Sequence, residues 1–371
     1  MRHSPRRREL LAALAGWCSI ATPAAFGAAA PSPAPPSSHA VARPERTLQF
    51  PRDHGSHPDF RIEWWYVTGW LRDQAMRELG FQVTFFRAKP KISAGNPSAF
   101  NPEHIIIAHA AVADPALGRL VHSQRAARAV FGLAGAATET TRVWLDDWHL
   151  TRRGDNYHTR IEADEITLDL QFATTQPLLL QGVNGYSRKG PEPQAASHYY
   201  SAPHLRVTGR LRSGGNTQTV SGRAWLDHEW SSSYLAEGAA GWDWIGINLD
   251  DGGALMAFRM RGHGNDRTMW SAATLRDAAG RSRSLGPGAV RFKALRQWQS
   301  PRTGIRYPVA FRIDLAGLEV VLEPLFEDQE NDTRPTTGAV YWEGAVRASS
   351  NGRSIGSGYL ELTGYGEPLS L

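Results

Sequence analysis

From Phe50 onward the apolar positions alternate with polar ones, or run in short β-branched and aromatic blocks, instead of recurring at helical spacing. Residues 62–71 (IEWWYVTGWL) and 79–87 (LGFQVTFFR) flank a short polar connection at 72–76, the pattern of a hairpin. The same grammar returns at 143–150 and 158–170 around Arg153-Gly154-Asp155-Asn156, and at 205–211 and 219–226 around Ser213-Gly214-Gly215-Asn216. It returns again at 242–249 and 254–260 around Asp250-Asp251-Gly252-Gly253, and at 340–348 and 354–362 around Asn351-Gly352, the strongest two-residue turn in the chain. The best helical window is 119–130 (RLVHSQRAARAV). Strands at regular spacing without βαβ alternation predict an all-β protein built as barrels or sandwiches. Glycines inside the strand patterns (Gly69, Gly209, Gly222, Gly246, Gly344, Gly358) predict strongly curved sheets. The small-residue stretch 231–240 (SSSYLAEGAA) divides two strand-rich halves, giving domains over 50–235 and 236–371.

The N-terminus is organised differently. Arginines at positions 2, 6, 7 and 8 precede an apolar run that ends in small residues near 27–30, the order of an export signal over 1–30. Arg7-Arg8 followed by Glu9-Leu10-Leu11 resembles a twin-arginine signal, so the expected location is periplasmic or secreted. Residues 31–49 are rich in Pro and Ser and read as a tether. Of the formal charge of +5 in 371 residues, the first nine positions account for +3, and the small remainder argues against a dedicated nucleic-acid binder. The single cysteine, Cys18, allows no intramolecular disulfide.

Several chemistries lack their residues. No Gly-rich phosphate loop occurs. Gly352-Arg353-Ser354-Ile355-Gly356 sits in a hairpin, not on the strand–turn–helix elbow a nucleophilic serine needs. His54 with His57, and His104 with His109, lack metalloprotease spacing, so no metal or organic cofactor is expected. What remains is carboxylates set among tryptophans: Glu63-Trp64-Trp65-Tyr66, Trp225-Leu226-Asp227-His228-Glu229-Trp230, Trp242-Asp243-Trp244 and Trp342-Glu343. In a strand Trp225, Asp227 and Glu229 share one face, and His228 and Trp230 the other. If the odd face lines a barrel interior, two carboxylates and an indole converge away from water, and one carboxyl keeps its proton near neutral pH. The same acids serve equally well as partners for indole N–H groups and arginines in a packed core.

Longer strings carry a resemblance. FPRDHGSHP (50–58), IEWWYVTG (62–69), SHYYS (197–201), WLDHEWSS (225–232), GWDWIGINL (241–249), YPVAFRI (307–313), YWEGAV (341–346) and GYLELTGY (358–365) together resemble the carotenoid 1,2-hydratase family in its AttH-like branch. The resemblance implies two consecutive lipocalin-like antiparallel β-barrel domains. It also implies water addition to an isoprenoid double bond without a cofactor: a general acid protonates the alkene, and aromatic faces stabilise the cation. By that resemblance Asp227 is the acid and Glu229 a candidate base, with Trp225, His228, Tyr200, Trp64, Glu63, Trp242 and Trp244 lining the ligand. Trp225 stands where the family carries Tyr, and Glu229 where it carries Asn.

Two functions fit these residues. One is a hydro-lyase acting on an apolar, isoprenoid-like or lipidic substrate. The other is a non-catalytic periplasmic carrier that holds such a ligand for a membrane transporter. The sequence sets no oligomeric state.

Overall fold

The β-branched and aromatic blocks pair into antiparallel hairpins nearly from end to end. The computed structural model describes residues 39–90, 98, 101–263 and 267–367; the proposed signal falls outside this range. The first sheet contains β1 (Ile62–Asp73), β2 (Glu78–Ala88), β3 (Ile105–Ala113), β4 (Leu120–Arg128), β5 (Ala134–Ala136), β6 (Arg142–Leu145), β7 (Trp148–Arg153), β8 (Asn156–Glu162), β9 (Ile166–Ala173), β10 (Leu179–Leu180), β11 (Tyr186–Arg188), β12 (Ala196–Ser213) and β13 (Asn216–Ser233). The chain crosses to the second sheet over 234–238. There it forms β14 (Ala239–Leu249), β15 (Ala254–Gly262), β16 (Thr268–Arg276), β17 (Ser282–Leu285), β18 (Val290–Gln299), β19 (Arg306–Leu315), β20 (Leu318–Pro324), β21 (Glu330–Asp332), β22 (Val340–Ser350) and β23 (Arg353–Leu362).

The first sheet runs β4-β3-β2-β1-β13-β12-β9-β8-β7-β6-β5, and the second β17-β16-β15-β14-β23-β22-β20-β19-β18. Both curl on themselves. Phe81 of β2 stacks on Phe172 of β9 across the first barrel at 6.0 Å. In the second, Ser271 of β16 donates to the Val290 carbonyl of β18 at 3.0 Å, drawing the two ends together. Each curled sheet encloses its own apolar core. The outer faces of β1, β12 and β13 then pack on those of β14, β15, β22 and β23. A third core forms there, with Tyr66, Tyr199 and Trp225 on one side and Trp244, Phe258 and Tyr359 on the other. Trp70 Nε1 clamps the two sheets by donating to the Gly358 carbonyl at 2.9 Å.

The hairpins over 62–87, 205–226, 242–260 and 340–362 form in the expected places, and Asn351 and Gly352 turn with positive φ of 49° and 73°. Three expectations are corrected. The helical window 119–130 is the strand β4, paired with β3 along its whole length, because the ladder and the burial of Leu120 and Val121 outweigh the weak helical preference of Arg and Ala. The segments 143–150 and 158–170 are each two strands, broken at Asp146 (φ 57°) and over 163–165. Residues 39–49, read as tether, lie against the first barrel: Ala42 and Leu48 are buried, and Ala40 N–H donates to the Asp59 carbonyl at 3.0 Å.

Candidate functional site: an acid between two sheets

β13 has a different neighbour on each face. Its odd positions face the second sheet and its even positions the interior of the first barrel, so the two faces build separate polar clusters. The alternation expected at 225–230 holds, but the Asp227 face packs into the core between the sheets rather than into a barrel.

Asp227 is 3% exposed. Its Oδ1 accepts from Trp225 Nε1 at 2.6 Å and from Ser201 Oγ, and its Oδ2 accepts from the Tyr199 hydroxyl at 2.6 Å. Trp244, from the second sheet, donates its Nε1 to the same Tyr199 hydroxyl at 3.0 Å. Burial drives the Asp227 carboxyl up, and the three donors pull it back only partly, leaving it at about 7. At neutral pH this group is poised both to hold a proton and to release it. Oδ1 takes two donors and Oδ2 one, which leaves Oδ2 the less committed oxygen. Gly246 makes room for the indoles: a Cβ there would lie 2.5 Å from the Trp244 ring and 3.1 Å from that of Trp225.

Glu229 sits two residues on, bound to Lys189 Nζ at 2.8 Å and to Ser197 Oγ. Burial raises Glu229, with Lys189 and Ser197 offsetting it; burial lowers Lys189, with Glu229 offsetting that. The ammonium also lies 4.2 Å from the Phe258 ring and 4.9 Å from Tyr199. The second sheet contributes Glu343 and Glu361, directly opposite each other on β22 and β23. At one edge of this core Trp64 meets Tyr234 edge-on at 4.9 Å, and Tyr234 meets Trp242 at 5.3 Å. Trp64, Trp242 and Glu361 keep partly exposed side chains.

The even face of β13 belongs to a second polar cluster, centred on Glu63. Glu63 is buried on β1. Its Oε2 accepts from Arg87 Nε at 2.9 Å and Ser56 Oγ at 2.7 Å, and its Oε1 takes His57 Nδ1 at 2.8 Å and His228 Nε2 at 2.9 Å. Burial alone would raise this carboxyl, but His228, His57 and Arg87 together hold it well below its ordinary value. Burial lowers His228 to about 4 and His54 to about 3, so both are neutral at pH 7. Neutral His228, donating through Nε2 to Glu63, is left to accept the Tyr200 hydroxyl at Nδ1 (3.0 Å). The Tyr200 oxygen then accepts from His54 Nδ1 at 3.1 Å. His57 turns its other nitrogen to Asp53 Oδ1 at 3.2 Å. The ligand atoms of His57, Glu63 and His228 lie within 4.8 Å of one another, a donor set suited to a divalent metal. Arg87 on the other carboxylate oxygen already balances the charge, and the cluster is satisfied as hydrogen bonds.

The nine residues singled out from the sequence therefore divide. Asp227, Glu229, Trp225, Trp244, Trp242 and Trp64 come together between the sheets, whereas Glu63, His228 and Tyr200 lie behind them inside the first barrel. Tyr200, expected beside Trp225, is on the opposite face of β12; its neighbour Tyr199 takes that place. Sequence reasoning missed Lys189, Ser201 and Tyr199. It named Glu343 only as a carboxylate beside Trp342, and it passed over Glu361, although strand alternation in GYLEL places Tyr359 and Glu361 on one face.

Two curled antiparallel sheets with a buried acid and indoles packed between them define a lipocalin-like double-barrel protein. A family model described as AttH-like matches residues 41–365, and the chain belongs to that family. The crystal structure of a candidate AttH from Nitrosomonas europaea is 51% identical, with a TM-score of 0.82, covering 88% of this chain and 99% of that one. Kievitone hydratase from Nectria haematococca shares the fold at 13% identity and a TM-score of 0.66, over 86% of this chain and 94% of that one. CghA with Sch210972 shares it at 15% identity and a TM-score of 0.54, over 83% and 89%. Among curated proteins no sequence matches.

Proposed function

We propose that the chain adds water across a double bond of an apolar, isoprenoid-like or lipidic substrate held between the sheets, with Asp227 as the general acid. The observation that carries this reading is the Asp227 carboxyl, buried among indoles and phenols and holding its proton up to about pH 7. Asp227 Oδ2–H delivers its proton to the less substituted alkene carbon. The resulting tertiary cation faces the rings of Trp225, Trp244 and Tyr199. Water attacks the cationic carbon and loses one proton, so the product gains H and OH. Trp225, Ser201 and the Tyr199–Trp244 pair stabilise the aspartate left behind, because their donors favour its charged form. The half-exposed Trp64 and Trp242 beside Tyr234 form an aromatic rim suited to admitting a greasy chain. The arginines and apolar run of the N-terminus, read as an export signal, support a cell-envelope location, where lipidic substrates are at hand.

The test is hydration of geranylgeraniol and lycopene in ¹⁸O-water, read by mass spectrometry, beside native mass spectrometry of protein from its own cells for a co-purified lipid. Asp227→Asn binds the same ligand and loses hydration by about 10²–10⁴-fold, the usual contribution of a general acid. Ligand retention with no hydration by the wild-type chain refutes the enzymatic reading in favour of a carrier.

A further inference from the structure

Hydration needs a base as well as an acid. Glu229, the base suggested by its position, is committed to Lys189 at 2.8 Å and to Ser197. The facing sheet offers a different group. Glu343 and Glu361 are directly opposed across β22 and β23, both on the face turned to the first sheet. Two carboxylates so opposed repel each other in a strand pair. Burial pushes both upward, Glu343 further because of the Glu361 charge beside it, and Glu361 also because of Asp227 and Glu229. No arginine or lysine is paired with either among the described residues.

Two buried atoms here lack partners. Glu343 Oε1 and the Tyr66 hydroxyl, 2% and 6% exposed as residues, complete no hydrogen bond, although Tyr66 and Tyr341 lie near enough to favour the Glu343 charge. Glu361, by contrast, keeps partial exposure and lies beside Trp242. It is also joined to the acid by geometry. Glu361 is the cross-strand neighbour of Trp244, whose indole N–H donates to Tyr199, which donates to Asp227. The ionisable groups around the pair are Asp227, Glu229 and Tyr234 from the first sheet and its exit, Tyr66 from β1, and Tyr341 and Tyr359 from the pair's own strands.

We propose that Glu343 and Glu361 share one proton, and that the ionised Glu361 accepts the proton of the attacking water. The inference rests on the hydration reading. Asp227 gives one proton to carbon, water oxygen bonds to the cation, and the second water proton passes to Glu361. Water between the sheets returns that proton from Glu361 to Asp227, closing the cycle with no other reactant.

Two measurements on the whole chain test this. The first needs no substrate: carboxyl-¹³C glutamate signals are titrated in the wild type and in Glu361→Gln. The wild type keeps a glutamate protonated through neutral pH, and removal of Glu361 lowers the midpoint of Glu343 by a unit or more. Glutamates all ionised by pH 5 overturn the shared proton. The second uses geranylgeraniol in D₂O. Without its base the cation loses a proton from a neighbouring carbon back to Asp227, so Glu361→Gln hydrates about 100-fold more slowly yet washes deuterium into the alkene. Glu361→Asp recovers part of the hydration. Hydration by Glu361→Gln at the wild-type rate overturns the base role and leaves Asp227 untouched; loss of both exchange and hydration in Asp227→Asn alone marks the acid. A wild-type chain that neither hydrates nor exchanges the probe overturns the hydration reading, and the base role with it.

Discussion

Replacing Asp227 with Asn tests the electrostatics of the core between the sheets without any substrate. Asn keeps the shape and can accept from Trp225 and Ser201, but it cannot ionise. The Asp227 carboxyl moves from its ordinary 3.8 to about 7 on folding, chiefly through burial. At about 1.4 kcal/mol per pKa unit, the charged form costs roughly 4 kcal/mol more in the folded chain than in the unfolded one. The folded state binds the extra proton, so the contribution is fully present below about pH 3.8, declines as pH rises and is gone above about 7. The stability of the wild type relative to Asp227→Asn should therefore fall by about 4 kcal/mol between pH 4 and pH 8. Urea unfolding of both proteins at several pH values, followed by tryptophan fluorescence, reads this difference directly. A difference that changes by less than about 1 kcal/mol over that range refutes the claim that burial dominates at Asp227, and the acid assignment with it.

Four further outcomes are expected. Hydration should lose rate above about pH 7 as Asp227 gives up its proton, a limb visible in a pH–rate profile and absent if another group is the acid. Glu63→Gln strands the buried Arg87 guanidinium and should cost about 3–5 kcal/mol in denaturant unfolding; a loss under about 1 kcal/mol means the cluster is not charge-coupled. Trp244→Phe removes the donor to Tyr199 and should cost about 1 kcal/mol while lowering hydration, because the hydroxyl that grips Asp227 loses its anchor; unchanged turnover argues against a supporting role. Arg7 and Arg8 changed to Lys should hold the protein in the cytoplasm, as cell fractionation would show, and normal export rejects the twin-arginine reading.

Much of the fold is legible because its signals are local. Turn residues such as Asn351-Gly352 and the alternation along 225–230 require only neighbours in sequence to be interpreted, and both appear in the structure. β4 was not legible: its strand character comes from β3, and Arg and Ala by themselves lean the other way. The site was half legible. Alternation puts Asp227 and Glu229 on one face, but it cannot say whether that face looks into a barrel or onto a second sheet, since both environments are apolar. Glu63 meets His228 across 165 positions and Trp244 meets Tyr199 across 45, so no spacing rule announces either contact. Lys189 escapes for the same reason: its partner Glu229 arrives from a strand of which the sequence around Lys189 carries no trace.

β13 serves as a party wall. The Asp227 carboxylate hangs on one side and a bonded histidine–glutamate plug on the other, on consecutive residues. Because side chains change sides at every step, evolution can refurnish either room by point substitution without disturbing its neighbour. Gain or loss of a single residue in that wall would exchange the furnishings of both rooms at once. Descendants with altered substrate preference are thus expected to vary in side chain at the odd positions while conserving the length of this strand.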